Sequence, residues 1–368
     1  MRVAALIFAL ALAIRIIVFL CIAWRLDLSI EQYARLYDGN SYLTTAQAYV
    51  DRAWPEDDYH ARVFPGFPAA VALLQWMGCP PAWAAVGINW ISASLAAALA
   101  AWLFRDWRVG VACAVLIPHY LMNSTMAMTE APLLALTLGG LIVARAPRVC
   151  IDGDVRVDGE GATDAGWRHV ARLCAGGALL GLAGLVRPMA CFATAANMLA
   201  LRNGRRALIF GAVALVAVIA GLVNLQWWMG DALFSYRYQS ASPAAYGGSL
   251  LQWPFTSLIL TPLQNDVPPA RIAYIWAHVV LVVIACLTVL RAGSDTTLRR
   301  LSAVWLWSNT LFVLCIGNVW GFECFHRFTV PAMPAMFYAL HRWLPRRIWI
   351  WAAITGVSAV IAAFSAGT

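Results

Sequence analysis

The run Val3–Trp24, read VAALIFALALAIRIIVFLCIAW, is almost wholly apolar and reaches the ~20 residues that a helix needs to cross a hydrocarbon core. It is too long for the core of a cleaved signal peptide and lacks a convincing small-residue cleavage site, so the sequence predicts a retained signal anchor. Arg2 stands just before it, which favours a cytoplasmic N-terminus.

Outward from this run, further apolar stretches follow at about 83–104, 109–127, 130–144, 171–186, 188–201, 207–229, 272–290, 301–318, 328–341 and 348–366. They predict about eleven transmembrane helices, several of them short. With 62% hydrophobic residues, 12% charged residues and a mean hydropathy of +0.71, the composition excludes a soluble domain. The expectation is an all-α polytopic membrane protein, a single transmembrane domain over 1–368 in the inner (plasma) membrane.

All 26 basic residues are arginine, and their placement sorts the loops into two faces. Threading the runs in alternation puts the loops 105–108, 145–170, 202–206, 291–300 and 342–347 on the side of the N-terminus. These loops collect the arginine clusters, so the positive-inside bias makes that side cytoplasmic. The acids gather opposite: Asp27, Glu31, Asp38, Asp51, Glu56, Asp57, Asp58, Glu130, Asp231, Asp266 and Glu323. Chemistry is therefore expected in the extracytoplasmic loops, chiefly the first one, 25–82, and the later one, 230–270. Within 25–82, the apolar stretch 64–78 is too short to span and is expected to form a short interfacial or re-entrant helix. The net charge of +8 is a topology signal and gives no reason to invoke nucleic acid.

Nine cysteines show no metal-type spacing, and no metal site is expected from them. Only Cys79 and Cys324 fall outside the apolar runs on the oxidising face, so one disulfide between them stays open. The segment Asp152 to Gly161, in the cytoplasmic loop 145–170, superficially suggests a calcium loop. It lacks regular ligand alternation and is expected to be a flexible linker. There is no internal repeat, Walker loop or nucleotide fingerprint, which argues against an ATP-driven pump.

In the first loop, Tyr37-Asp38-Gly39-Asn40-Ser41-Tyr42 sets an acid among aromatics at the lip of a membrane segment. Partial desolvation there would keep Asp38 basic enough to take a proton, which makes it a candidate general base; the plainer reading is a turn residue before Gly39. Glu130 stands at the outer end of an apolar run, either favouring a helix dipole or performing a function that repays its placement near membrane depth. Arg187-Pro188 puts a guanidinium at a helix break facing outward, suited to a lipid-linked phosphate or to snorkelling. His326-Arg327 is a second cation pair, and Glu323 to Arg327 has the spacing of a helical ion pair. Arg15 and His119 alone look intramembrane, without an acid in their own runs.

Taken in order and by side, Asp38, then Arg62 with Pro65, Phe67 and Pro68, then Glu130, then Arg187-Pro188 resemble the GT-C superfamily of integral membrane glycosyltransferases. Within it, the likeness is to protein O-mannosyltransferases, the aminoarabinose transferase of lipid A and the mannosyltransferases of lipid-anchor synthesis. It covers roughly residues 1–200, with a weaker echo at His326 to Pro334. The resemblance implies transfer of a sugar, such as mannose, from a polyprenyl-phosphate-linked donor to a hydroxyl of a lipid, glycan or protein acceptor on the extracytoplasmic face, with inversion. It implies Asp38 as base and Glu130 as a second acid, with Arg62, Arg187, His326 and Arg327 on the donor phosphate. No cofactor is implied with certainty, and a divalent metal stays open. The family's usual lysine has no counterpart, since the chain contains none, and Arg62 stands in its place. The soluble C-terminal domain of larger members is not expected here, so acceptor or sugar recognition is expected from Tyr37, Tyr42, His60 and the segment 230–270, with Tyr236, Arg237, Tyr238, Tyr246, Trp253 and Phe255. The competing classes are a transporter or flippase, which would set charges at mid-depth and show a repeated half, and a noncatalytic scaffold.

Overall fold

The computed structural model describes residues 2–55, 57–145, 162–201, 203–231, 233–238, 251–293 and 295–366. The expected linker Asp152 to Gly161, with Glu56 and Tyr246, lies outside the described residues. Among those described, the regular structure is helical, apart from one isolated bridge between Leu251 and Ile316.

The helices in chain order are α1 (Arg2–Leu26), α2 (Ile30–Ala34), α3 (Gly39–Asp51), α4 (Asp58–Ala61), α5 (Gly66–Trp76), α6 (Pro81–Phe104), α7 (Trp107–Val115), α8 (Pro118–Asn123), α9 (Glu130–Arg145), α10 (Ala162–Val186), α11 (Ala190–Ala200), α12 (Gly204–Met229), α13 (234–238), α14 (Thr256–Gln264), α15 (Pro269–Thr288), α16 (Thr296–Cys315), α17 (Asn318–Glu323), α18 (Phe325–Thr329), α19 (Met333–Ala339) and α20 (Ile348–Ser365). Their starts follow local chemistry. Ser29 and Gln32 form a capping box on α2, Asp295 and Asn203 accept backbone N–H groups at the starts of α16 and α12, and prolines occupy the first turns of α6, α8 and α15.

Six helices are long and apolar enough to cross a membrane: Arg2–Leu26, Pro81–Phe104, Trp167–Val186, Gly204–Trp227, Pro269–Arg291 and Ile348–Ser365. This establishes an all-α protein suited to a bilayer. Two of the expected runs are not continuous helices. The run 109–127 is divided into α7 and α8 at Pro118, and 328–341 is divided into the end of α18, a 3-10 turn at Val330–Ala332 and α19, around Pro331 and Pro334. Proline lacks the donor a helix interior needs and its ring clashes with the preceding turn.

The short helix α5 is 11 residues long, about 16 Å at 1.5 Å per residue, and is not among the helices long enough to cross a membrane by themselves. It buries Phe67, Val71 and Ala72 and leaves Leu73, Trp76 and Met77 exposed, the pattern of a helix lying against the bundle. Glycines set the closest helix approaches. A Cβ on Gly140 would lie 2.8 Å from the Gly176 carbonyl oxygen, and one on Gly176 would lie 2.7 Å from that of Gly140, so α9 and α10 meet backbone to backbone. A Cβ on Gly66 would fall 2.7 Å from the Val186 amide, which seats the start of α5 on the end of α10.

Contacts join the helix ends in two sets. In one, the arginine-rich connections meet: Arg108 Nη1 donates to the Leu344 carbonyl at 3.3 Å, Arg145 Nε to Asn197 Oδ1 at 2.6 Å, and the Tyr338 hydroxyl to the Ala292 carbonyl at 3.5 Å. In the other, acid-bearing connections meet: Ser235 Oγ donates to the carbonyls of Ala61 and Val63, the Gln252 amide to the Cys315 carbonyl at 2.8 Å, and Arg271 lies 3.8 Å from Glu323.

Candidate functional site

The first loop delivers Asp38 through a tight reversal between α2 and α3. The Gly39 amide donates to the Leu36 carbonyl at 2.9 Å, Tyr37 sits at a φ of 52°, and a Cβ on Gly39 would lie 2.1 Å from the Ala34 carbonyl oxygen. Only glycine tolerates that approach. Asp38 occupies the N-cap position of α3, but its side chain makes no capping bond. It turns instead to two guanidinium groups: Oδ1 accepts from Arg62 Nη2 at 2.9 Å and Oδ2 from Arg327 Nη1 at 2.7 Å.

Arg62 closes α4. Its Nη1 also donates to Ser41 Oγ at 2.7 Å and to the Tyr59 carbonyl at 2.6 Å, and its guanidinium carbon lies 3.6 Å from the Tyr59 ring centroid. These bonds and the stacked ring fix the fork while one nitrogen reaches Asp38. Glu130, at the first position of α9, is 1% exposed. Its Oε1 accepts from Arg327 Nε and faces Arg187 Nη2 at 3.3 Å. Arg187 arrives at this point because α10 ends one residue earlier and Pro188 prevents it from continuing.

Arg327 thus bridges both carboxylates, and three cations surround two anions. Of the buried polar atoms, Glu130 Oε2, Arg187 Nη1 and Arg327 Nη2 have no hydrogen-bond partner among the described residues. One positive charge is in excess, and two N–H-bearing nitrogens remain available to an anionic ligand. Burial pushes the Asp38 carboxyl up, but Arg327, Arg62 and Arg187 outweigh it and hold the group below the ordinary aspartate range. The expectation that desolvation keeps Asp38 basic is corrected for this arrangement, in which the cations win.

The other expected residues divide. Tyr42 is buried beside the network, its hydroxyl 3.3 Å from Thr129 Oγ1, and His60 Nδ1 lies 3.1 Å from Ser41 Oγ. Tyr37 points outward and is half exposed. Tyr236 packs on Phe64 with ring centroids 5.2 Å apart, and Arg237 pairs with Asp231. Through Tyr236, and through Phe234 packed 5.0 Å from Trp54, α13 covers the first loop, and Trp54, Tyr49, Asp231 and Phe234 line a shallow cleft between them.

His326 is buried next to Arg327 in sequence and turns toward α8. Its ring packs edge-on against His119 at 4.0 Å, and no described residue hydrogen-bonds its Nδ1. The expected pair of Glu323 with Arg327 is also corrected. Cys324 interrupts the helix between α17 and α18, so i to i+4 spacing does not bring the two together; Glu323 pairs with Arg271 and Arg327 turns inward. Cys79 and Cys324 are both free thiols.

Ser41, Thr129 and Tyr59 were not singled out from sequence. Ser41 lies three residues after Asp38, one turn along α3, and that spacing is the only signal that could have marked it. Among the described residues no group of three or more His, Cys, Asp or Glu side chains is placed to hold a metal ion. The chain matches no protein-family model and no curated protein.

Proposed function

We propose that the protein is an inverting glycosyltransferase of the membrane. It takes a sugar, a hexose such as mannose, from a polyprenyl-phosphate-linked donor and passes it to an acceptor hydroxyl of a lipid, glycan or protein on the extracytoplasmic face. The observation that carries this reading is the largely buried network of Asp38 and Glu130 with Arg62, Arg187 and Arg327: a first-loop carboxylate, one net positive charge, and unpartnered N–H groups on Arg187 and Arg327. A lipid phosphate supplies the anion that these donors lack.

In the reaction, Asp38 takes the proton from the acceptor hydroxyl. The acceptor oxygen bonds to the anomeric carbon from the face opposite the phosphate, and the bond from that carbon to the phosphate oxygen breaks with its electron pair left on the phosphate. Arg187 and Arg327 stabilise the charge that develops there, commonly a large share of such catalysis. Glu130 holds Arg187 and Arg327 in place. A phosphate that draws Arg327 toward itself weakens its bond to Asp38, so donor binding raises the proton affinity of the base at the moment it is needed.

The reading includes a topology. Asp38, Glu130, Arg187 and Arg327 share one depth, so the chain returns to that face between them. On this reading α7 with α8, α9, α11 together with the chain on either side of it, α16, and α18 with α19 also cross, which with the six long helices makes eleven. The arginine-rich ends that meet one another are then cytoplasmic, as is the N-terminus.

The test is transfer from a panel of radiolabelled polyprenyl-phosphate sugars in proteoliposomes, with wild type beside Asp38→Asn. Activity reduced about 10²–10⁴-fold in a folded Asp38→Asn protein is expected. Full activity in that variant would move the base to Glu130. No transfer from any donor, with lipid-linked sugar crossing the bilayer, would replace the enzyme with a flippase.

A further inference from the structure

Ser41 is buried on α3, one turn beyond Asp38, and its hydroxyl has a single proton to give. Arg62 Nη1, which can only donate, gives a proton to Ser41 Oγ at 2.7 Å. The other neighbour of that hydroxyl is His60 Nδ1 at 3.1 Å, which accepts the serine proton when the imidazole carries its own on Nε2. The arrangement in which each of these protons finds an acceptor runs in one direction, from Arg62 through Ser41 to His60. The backbone that carries His60 and Arg62 is held separately. Thr45 Oγ1, one turn after Ser41 on α3, donates to the His60 carbonyl at 2.8 Å, and Ser235 Oγ donates to the carbonyls of Ala61 and Val63. The side-chain link is therefore not needed to dock α4 on α3, and what it adds is a fixed guanidinium.

Arg62 is 7% exposed, and its two terminal nitrogens have different tasks. Nη1 is taken up by Ser41 and by the Tyr59 carbonyl at 2.6 Å, while Nη2 holds Asp38 Oδ1 at 2.9 Å. Arg327 holds the other oxygen, Oδ2, and has a further nitrogen, Nη2, without a partner among the described residues. The two cations on Asp38 are thus unequal. Arg327 has a donor to spare for an incoming phosphate, whereas Arg62 cannot turn to one without leaving Ser41, the Tyr59 carbonyl and the ring stacked on it. We infer that Ser41 and His60 are positioning residues: through Arg62 they keep Asp38 Oδ1 engaged, so that Oδ2 is the oxygen that takes the acceptor proton once Arg327 turns to the donor phosphate. The inference rests on the glycosyltransferase reading. It moves His60 from the acceptor, where the resemblance placed it, to the support of the base.

The experiment compares Ser41→Ala, Ser41→Thr, His60→Leu and His60→Asn with wild type, each as the full chain in proteoliposomes. Threonine keeps the hydroxyl, and asparagine sets an amide oxygen where Nδ1 stands. Ser41→Ala and His60→Leu are expected to lower kcat about tenfold with the KM of donor and acceptor unchanged. Ser41→Thr and His60→Asn are expected to restore most of it. The double variant is expected to fall no further than Ser41→Ala alone, since both residues act through one guanidinium. A second readout needs no turnover. With Arg327, Arg187 and Tyr42 left in place around Asp38, a loosened Arg62 lets the carboxyl rise toward its ordinary value. The acid loss of the unfolding midpoint in detergent then begins at higher pH in Ser41→Ala and His60→Leu than in wild type. Wild-type kcat in both of these variants overturns the inference. So does a raised acceptor KM at unchanged kcat in His60→Leu, a readout that stands even if Ser41→Ala fails to fold. A wild type that transfers from no donor strikes the glycosyltransferase reading instead, and the acid limit then decides: if it moves, Ser41 and His60 still position Asp38 through Arg62, and if it does not, they do not.

Discussion

Arg327 presents Nε to Glu130 and Nη1 to Asp38, a geometry only a planar fork can satisfy. Replacement by methionine strands two carboxylates among the remaining cations, and the loss expected for breaking a buried pair is ~3–5 kcal/mol, read as a lowered unfolding midpoint in detergent. Arg327→Lys keeps the charge and loses the bridge, so it is expected to recover part of the stability and little of the transfer activity. An Arg327→Met protein as stable as wild type would show that the network does not hold the fold. The Asp38 carboxyl makes a second prediction. Its guanidinium partners favour the ionised form, so the stability they confer is complete above the ordinary aspartate range and is lost as pH falls through the lowered value. The acid limb of kcat/KM, which reports the free enzyme, is expected below the ordinary aspartate range, and the limb of kcat above that of kcat/KM, because the donor phosphate competes for Arg327. Coincident limbs in the two profiles would remove the donor-coupled rise in basicity.

At the scale of elements, the site depends on helix ends that meet at one level. α9 begins with Glu130, α10 ends just before Arg187, and the two are locked by the contact of Gly140 with Gly176. A side chain on Gly176 would also meet Ala144 at 2.8 Å, so Gly176→Val is expected to push the helices apart. The cost of such overpacking is ~1–3 kcal/mol. Because the same displacement separates Glu130 from Arg187, transfer is expected to fall further than stability alone explains, measured as specific activity of the folded fraction. Gly204→Ala, where an added Cβ meets nothing within 4 Å, is the matched control and is expected to change neither. The broken segments belong to this scale too. Pro118 opens α8 just before His119, and Pro331 opens the 3-10 turn that follows α18, so the breaks in these segments fall close to His119 and Arg327.

At the scale of the molecule, the proposed topology of eleven crossings predicts that a phosphatase fused after Trp54 is active and one fused after Asn203 is inactive; the reverse pattern would turn the proposed site to the cytoplasm. The apolar runs were legible because a bilayer demands length and hydrophobicity from each span separately, and Val3–Trp24 meets that demand without reference to the rest of the chain. Asp38, Glu130 and Arg187 were legible for the converse reason, as charges beside apolar runs are costly and stand out. Their partners were not legible. Arg327 is 289 residues from Asp38 and 197 from Glu130, and local spacing pointed it to Glu323. The sequence by itself thus determined the helical, membrane-embedded character of the protein and most of the charged residues of the site, since hydropathy and charge are properties of short segments. Which carboxylate meets which guanidinium, and that Asp38 is held acidic, were decided only by the tertiary structure, since each depends on how helix ends far apart in the chain come to one depth.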